Sequence, residues 1–342
     1  MKEPLFGKSL DELIAIVKEA GLPAFTARQM AEWLYSHRVS DIDGMTNLSL
    51  KAREGLKEKY IIGHAEPVNV MESADGTKKY LFQAGDKGYI EAAYIPDRDR
   101  HTLCLSSQVG CRMGCHFCMT GMQGFQGNLS AGEILNQVIS IPESGSLTNL
   151  VYMGMGEPFD NTSEVIKSVK ILSSVWGFGM SPRRITVSTI GIIPGMQEFL
   201  SECDAHLALS LHSPFHEERL QLMPAEKKYP LTEIMKVIRG YDWGRQRRIS
   251  FEYIMFRGMN DSESHIKGLL KLLAGLRCRV NLIRYHSVPG MPFESSSDES
   301  IIRFRDKLGD SGITTTIRTS RGEDILAACG MLSTMEKSRG KS

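Results

Sequence analysis

The sequence predicts an α/β protein: a small helical domain and a connecting β meander, then six β/α units in series that argue for parallel strands, either in an open doubly wound sheet or in a partial (β/α)6 TIM-like barrel. Three observations predict it. Amphipathic helices open the chain, the hydrophobic period then shifts toward two, and after residue 100 short apolar strands alternate with helical stretches. At 342 residues, 42% of them apolar, the chain can bury one large core plus an accessory domain. Its 41 basic and 40 acidic residues leave a formal charge of +1, which excludes a generally basic nucleic-acid coat.

The first element, "SLDELIAIVKEAG", has a Ser cap, early acids and a closing Gly, and "TARQMAEWLYSHR" and "SLKAREGLKEKY" repeat the pattern. These helices define a domain over residues 1–65. "VNVMES", a turn at Asp75-Gly76, "KKYLFQ" and "YIEAAYI" follow as a strand meander over residues 66–96. Strands are then expected at "TLCLSS", "NLVYMG", "RITVST", "HLALSLH", "RISFEYIMF" and "RVNLIRYH". Helices at "SAGEILNQVIS", "SEVIKSVKILSSV", "LTEIMKVIRGY" and "SESHIKGLLKLLAG" separate several of them, and a last strand, "ITTTIRT", follows. The barrel is assigned to residues 97–332 and a frayed tail to residues 333–342.

Seven cysteines is an odd number, and "MKEPLFGKSL" lacks the apolar run of a signal peptide, so a disulfide framework is not expected and a reducing cytoplasm is. No apolar stretch approaches the roughly 20 residues of a membrane span.

Most polar oddities fall just after strand ends, where β/α folds carry their sites: "CRMGCHFC", "GMGEP", Ser188, "SLH" and "RYH". Cys111, Cys115 and Cys118 are too few to close a tetrahedral zinc site unless Cys104 or His116 completes it, so zinc is the second choice. A thioredoxin-like dithiol has no use for the third cysteine. A [4Fe-4S] cluster with three cysteine ligands explains the count, because one iron stays open for substrate.

The spacing Cys-x3-Cys-x2-Cys, with an aromatic before the last cysteine and a glycine-rich segment ending in Glu one strand later, resembles the radical S-adenosylmethionine (SAM) superfamily. "TLCLSSQVGCRMGCHFCMTGMQGF", "VYMGMGEP", "SLHSPFHEERLQLMPAEKKYP", "FEYIMFRGMND" and "RGEDILAACG" resemble the RlmN-type adenosine C2 methyltransferases, from about residue 9 to residue 335. The resemblance implies a substrate adenosine in 23S ribosomal RNA near the peptidyl transferase centre, and the adenosine next to the anticodon in certain transfer RNAs. C2 of adenine is electron-poor and cannot attack a sulfonium methyl directly, so a radical route is implied, with two SAM molecules per turnover. The first methylates Cys329. The second, cleaved reductively on the open iron, gives a radical that takes hydrogen from that methyl group, and the resulting carbon radical adds to C2. By the same resemblance Glu91 accepts the C2 proton, and Cys104 frees the product by forming a disulfide. SAM contacts map to Gly156, Glu157, Ser188, Ser210, Leu211, His212 and His286, the last where many members have Asn. A reducing electron donor of the flavodoxin kind and a monomeric state are also implied.

Read as residues alone, Cys203 and Cys278 are core cysteines, as Cys104 and Cys329 would be without the resemblance. Glu91 is an isolated acid in an apolar strand, either outward-facing or functional. "SPRR", "GRQRR", Arg318 and Arg321 are candidate RNA contacts, together with the helical start, and a flipped target base requires a pocket at the barrel mouth. Two other readings stand: a C8-adenosine methyltransferase of the sister resistance branch, and a non-catalytic zinc RNA-binding protein.

Overall fold

The computed structural model describes residues 2–244, 247–288, 290–328, 330–332 and 334. Its centre is a 10-stranded open sheet. From one edge the strands run Thr314–Ile317, Cys278–Arg284, Ile249–Met255, His206–Ser210, Ile185–Thr189, Asn149–Tyr152 and Arg100–Cys104, every neighbouring pair parallel. This is the partial barrel: six β/α units and a last strand, left open between the first and the last. The helices cover its outer face because residues such as Leu207, Leu209, Phe251, Tyr253, Val280 and Leu282 alternate outward and are fully buried beneath them.

The meander is not a separate connection. Strands Tyr89–Asp97, Lys78–Gln83 and Asn69–Glu72 add antiparallel to the edge strand Arg100–Cys104 and continue the same sheet. The reason is local: Asp97 pairs with Arg100 across a tight turn, so Ala93 comes to lie beside Cys104.

In the N-terminal unit the helix Leu10–Glu19 starts at a reciprocal cap between Ser9 and Glu12, and Leu50–Lys59 starts at Ser49. The second expected helix divides into an α-helix, Thr26–Ala31, and a wider π turn, Glu32–Ser36. A short parallel pair, Glu3–Pro4 with Tyr60–Ile61, ties the unit's two ends together. Helices Ile193–Glu202, His216–Leu222 and Asp298–Asp310 complete the outer layer and were not among the expected elements.

After the last strand the chain turns back across the barrel's open side. Gly322 N donates to Asp75 at 3.0 Å, and Ser73 Oγ donates to Asp324 at 2.6 Å, which pins this C-terminal segment to the meander turn. It then reaches the cysteine loop, where Met119 N donates to the Gly330 carbonyl at 2.9 Å and Thr120 Oγ1 to that of Leu332 at 2.6 Å. Among the described residues no helix is long and apolar enough to cross a membrane.

Candidate active site

At the C-terminal ends of the parallel strands lies an open cavity of about 880 Å³. Cys111, Cys115 and Cys118 line it, with Gly156, Glu157, Ser188, Ser210 and His212 of the expected contacts. The cysteine loop is framed by a small hairpin, Gln108–Gly110 with Phe125–Asn128. Arg112 stacks on Phe125 at 3.9 Å and pairs with Asp160 at 2.8 Å, and Cys111 N donates to the Gly124 carbonyl. Burial raises the Cys111 thiol to about 12, and burial, followed by the two neighbouring cysteines, raises the Cys115 thiol well above its ordinary value. Thiols held this way favour the ionised form only when a metal accepts their charge.

Among the described residues no three His, Cys, Asp or Glu side chains close around a single metal ion. His116 is directed to the Gln221 carbonyl at 2.7 Å, and Cys104 belongs to another cluster, so neither joins the three cysteines. The donor set suits a polynuclear cluster, whose ligands sit on different irons, better than one zinc ion.

Glu157 is buried, and its carboxylate is firmly placed: Thr189 Oγ1 and Phe159 N donate to Oε1 at 2.6 and 3.1 Å, and Ile190 N donates to Oε2 at 3.0 Å. Burial still wins over these three donors and pushes the carboxyl up to about 7. A cation placed in the cavity would reverse that. Gly156 adopts φ +100, and a Cβ there would meet Gln108 Cβ at 2.6 Å, so only glycine fits.

His212 has φ +57, a strained conformation held from outside. Asn260, fully buried, donates to the His212 carbonyl at 2.7 Å, and Ile254 N donates to Nδ1 at 3.0 Å. Nε2 therefore carries the proton, and burial holds the ring neutral with its pKa down to about 3. Leu211 is fully buried and is not among the described cavity-lining residues; its N–H donates to the Glu252 carbonyl and its own carbonyl accepts from Ser213 N. His286 is not among the described cavity-lining residues. It contacts Ser320 Oγ at 3.2 Å and Glu323 at 3.4 Å, which ties the strand end Cys278–Arg284 to the C-terminal segment.

Cys329 lies outside the described residues. Its neighbour Gly330 lines the cavity, while Cys104 packs in a separate apolar cluster with Ala93, Val151, Ile325 and Ala327. Glu91 is buried on the adjacent strand, with Lys79 Nζ 3.2 Å from Oε1, and the same ammonium lies 3.5 Å from the Leu326 carbonyl. The cysteine segment, Cys104 and Glu91 are thus brought to one side of the barrel.

The family model for the radical SAM superfamily matches residues 105–271, and that for the ribosomal RNA large subunit methyltransferase N-terminal domain matches residues 4–62. A probable dual-specificity RNA methyltransferase RlmN of Phocaeicola vulgatus is 56% identical over 99% of this chain and 97% of its own length. The chain belongs to the RlmN family of radical SAM RNA methyltransferases. A dual-specificity RNA methyltransferase RlmN of Syntrophus aciditrophicus is 41% identical over 95% of the chain and 94% of its own length. The crystal structure of a radical SAM methyltransferase from Sphaerobacter thermophilus superposes with a TM-score of 0.88 at 40% identity, over 96% of this chain and 99% of that one.

Several supports of this RlmN-family site escaped the sequence reading. Gln108 accepts from Glu157 N at 2.9 Å and donates to Asn128 and Asp160 at 2.8 Å, linking the hairpin to "GMGEP". Arg219 and Glu226 form a fully buried pair, and Arg219 donates to the carbonyls of Ile190 and Ser210 at 2.7 and 3.2 Å, directly behind the cavity. Glu252 lines the cavity, accepts from Asn281 at 2.7 Å and lies 3.3 Å from Arg318. An acid inside the apolar run "ISFEYIM" is the same kind of signal that marked Glu91, and it could have found Glu252.

Proposed function

We propose that this enzyme methylates C2 of an adenosine in 23S ribosomal RNA near the peptidyl transferase centre, and C2 of the adenosine next to the anticodon in certain transfer RNAs. What carries this reading is the path of the C-terminal segment. It crosses the barrel's open side past Cys104 and ends on the loop of Cys111, Cys115 and Cys118, with Gly330 lining the cavity. The named relatives, dual-specificity RNA methyltransferases, support the two RNA classes.

When bound, a [4Fe-4S] cluster and two SAM molecules per turnover supply a carbon radical and the methyl group. Cys111, Cys115 and Cys118 would hold the cluster. Gly156 lets the main chain approach the methionyl end, where the Glu157 carboxylate complements an ammonium. Ser188, Ser210, the Leu211 main chain and the His212 Nε2–H orient the rest, and His286 acts from the strand end. Cys329 accepts the methyl group and carries the carbon to C2, Glu91 takes the C2 proton, and Cys104 releases the product. The cavity mouth takes a base turned out of its stack. A flavodoxin-like donor supplies electrons to a monomeric enzyme in the cytoplasm.

The test is mass spectrometry of nucleosides from ribosomal and transfer RNA fragments treated with the reconstituted enzyme. 2-Methyladenosine from wild type, and none from Cys118→Ala, is the expected result. A product methylated at C8 assigns the chain to the sister activity instead.

Lys79 supplies a second test. An ammonium beside a buried carboxylate favours its ionised, proton-accepting form. Lys79→Met should therefore lower turnover near neutrality and move the rising limb of the pH–rate profile to higher pH, while RNA-free SAM cleavage stays as in wild type. A uniform loss across pH would reduce Lys79 to a packing role.

A further inference from the structure

The side chains on the cavity's face of the sheet form layers. Ser210, Glu252, Asn281 and Thr316 are register neighbours. One step toward the strands' N-terminal ends, Ser188, Ala208, Ser250, Arg279 and Thr314 form the next layer. Below it, Cys104, Val151, Thr186 and His206 share a level, and Arg248 N donates to His206 Nδ1 at 3.2 Å. The inner face, small and neutral in the middle, turns basic at its far end. Arg279 comes from one strand, Arg248 from the start of another, and Arg100 from the edge strand, four residues before Cys104 and on the same face.

These groups feel one another. Burial and then Arg318 lower the Arg100 guanidinium, with Arg279 and Arg248 adding to the effect and Asp97 opposing it. Burial, followed by Arg248, Arg247, Arg183 and Arg279, lowers His206 to about 4. Counter-charge is scarce: Asp97 also faces Arg321 at 3.4 Å, Glu252 faces Arg318, and no ion pair among the described residues engages Arg248 or Arg279. A second observation is independent of the arginines. His206 is 8% exposed, its Nδ1 accepts a main-chain N–H, and its buried Nε2 has no hydrogen-bond partner among the described residues. The proton on that ring must sit on Nε2, a buried donor for which the described residues offer no acceptor where the positive charges converge.

We propose that the N-terminal end of the barrel is a phosphate-binding site formed by Arg100, Arg248, Arg279 and His206, and that it takes a backbone phosphate of the RNA substrate. Guanidinium forks arriving from separate strands match the several oxygens of a phosphate, and the His206 Nε2–H gives one further donor. Arg248 precedes the cavity-lining Glu252 by four residues, and at about 3.3 Å per residue its end of the site lies about 13 Å from the cavity. The phosphate therefore belongs to a nucleotide close to the target base, or to an adjoining strand. The site fixes the RNA's placement on the enzyme and takes no part in the chemistry. It rests on the reading of RNA as the substrate.

The experiment measures RNA affinity by fluorescence anisotropy across a salt series, using the loaded enzyme and a methylatable fragment. The variants are Arg248→Gln with Arg279→Gln, and the charge-keeping pair Arg248→Lys with Arg279→Lys. The Gln pair should lower the slope of log affinity against log salt by about 0.7–0.9 for each phosphate no longer neutralised, and the Lys pair by less. RNA-free SAM cleavage should be unchanged in both, which shows that cavity and fold are intact. In a parallel arm inorganic phosphate is titrated into RNA-free enzyme while the His206 ring nitrogens are followed by NMR. Phosphate should shift them in wild type and not in the Gln pair. A shifted ring with an unchanged salt slope overturns the RNA assignment in favour of a free phosphate-bearing ligand. An unmoved ring and an unchanged slope overturn the site. If the fragment binds with the expected change in slope but is never methylated, the choice of target is wrong and the phosphate site stands.

Discussion

Glu226→Ala should destabilise the protein by about 3–5 kcal/mol, the cost of leaving a buried charge without its partner. Arg219 is 1% exposed, and its guanidinium would face Glu226's vacated place with only the carbonyls of Ile190 and Ser210 as acceptors. Glu226 also accepts from His216 Nδ1 at 2.8 Å and from Leu231 N at 2.9 Å, so the helix His216–Leu222 and the start of the helix Leu231–Gly240 lose a shared anchor. Native domains have only about 5–15 kcal/mol in hand, so the loss is a large share of the total. Urea unfolding of anaerobically purified protein measures it. The double variant Arg219→Met, Glu226→Met should recover much of the stability, because an apolar pair removes both desolvation penalties. It should not recover SAM affinity, since the strand ends at Ile190 and Ser210 lose the group that holds them. A single variant within about 1 kcal/mol of wild type would show that water reaches the pair and that it is not a buried anchor.

How much of this was legible depended on the range of the interaction. The parallel strands were readable because burial on both faces makes them short apolar runs, and the capped helices because Ser9, Ser49 and Ser130 announce them. The helix Ile193–Glu202 was not, since it opens with Pro194 and Gly195 and has no side-chain cap. Sequence could not show that the meander extends the barrel sheet, because edge pairing depends on which strand is left unpaired. In the site, motif residues close in sequence were found and their distant supports were not. In "HEERLQLMPAEKKYP" the charges read as a solvated face, yet Arg219 and Glu226 are buried because the chain folds back on itself. His286 shows the same limit: its strand-end position and the family pattern suggested a SAM contact, while its bonds to Ser320 and Glu323 of the C-terminal segment, distant in sequence, were not legible.

Cys104→Ala should convert the enzyme from one that turns over into one that stops on its substrate. The argument begins with placement. Cys104 is buried on the edge strand, and its apolar cluster includes Ile325 and Ala327, which lie four and two residues before Cys329 in the chain. The cluster is apolar, so the substitution removes a thiol and keeps the packing around it, and an alanine side chain fits where a cysteine did at a cost below about 2 kcal/mol. In the proposed reaction the carbon delivered to C2 is still bonded to the Cys329 sulfur once the C2 proton has gone to Glu91. Release needs a second thiolate to attack that sulfur: the S–S bond forms, the S–C bond breaks, and the carbon keeps the bonding pair and takes a proton to become the methyl group. With alanine at 104 every earlier step is available and this one is not. A covalent RNA–protein species should therefore accumulate, seen as a nuclease-sensitive slow band on a denaturing gel, while methylated RNA falls to background. The Cys104→Ala, Cys329→Ala double variant should give no such band, because the carbon was never loaded. Normal turnover by Cys104→Ala with no trapped species would return Cys104 to the apolar core and leave product release to another group.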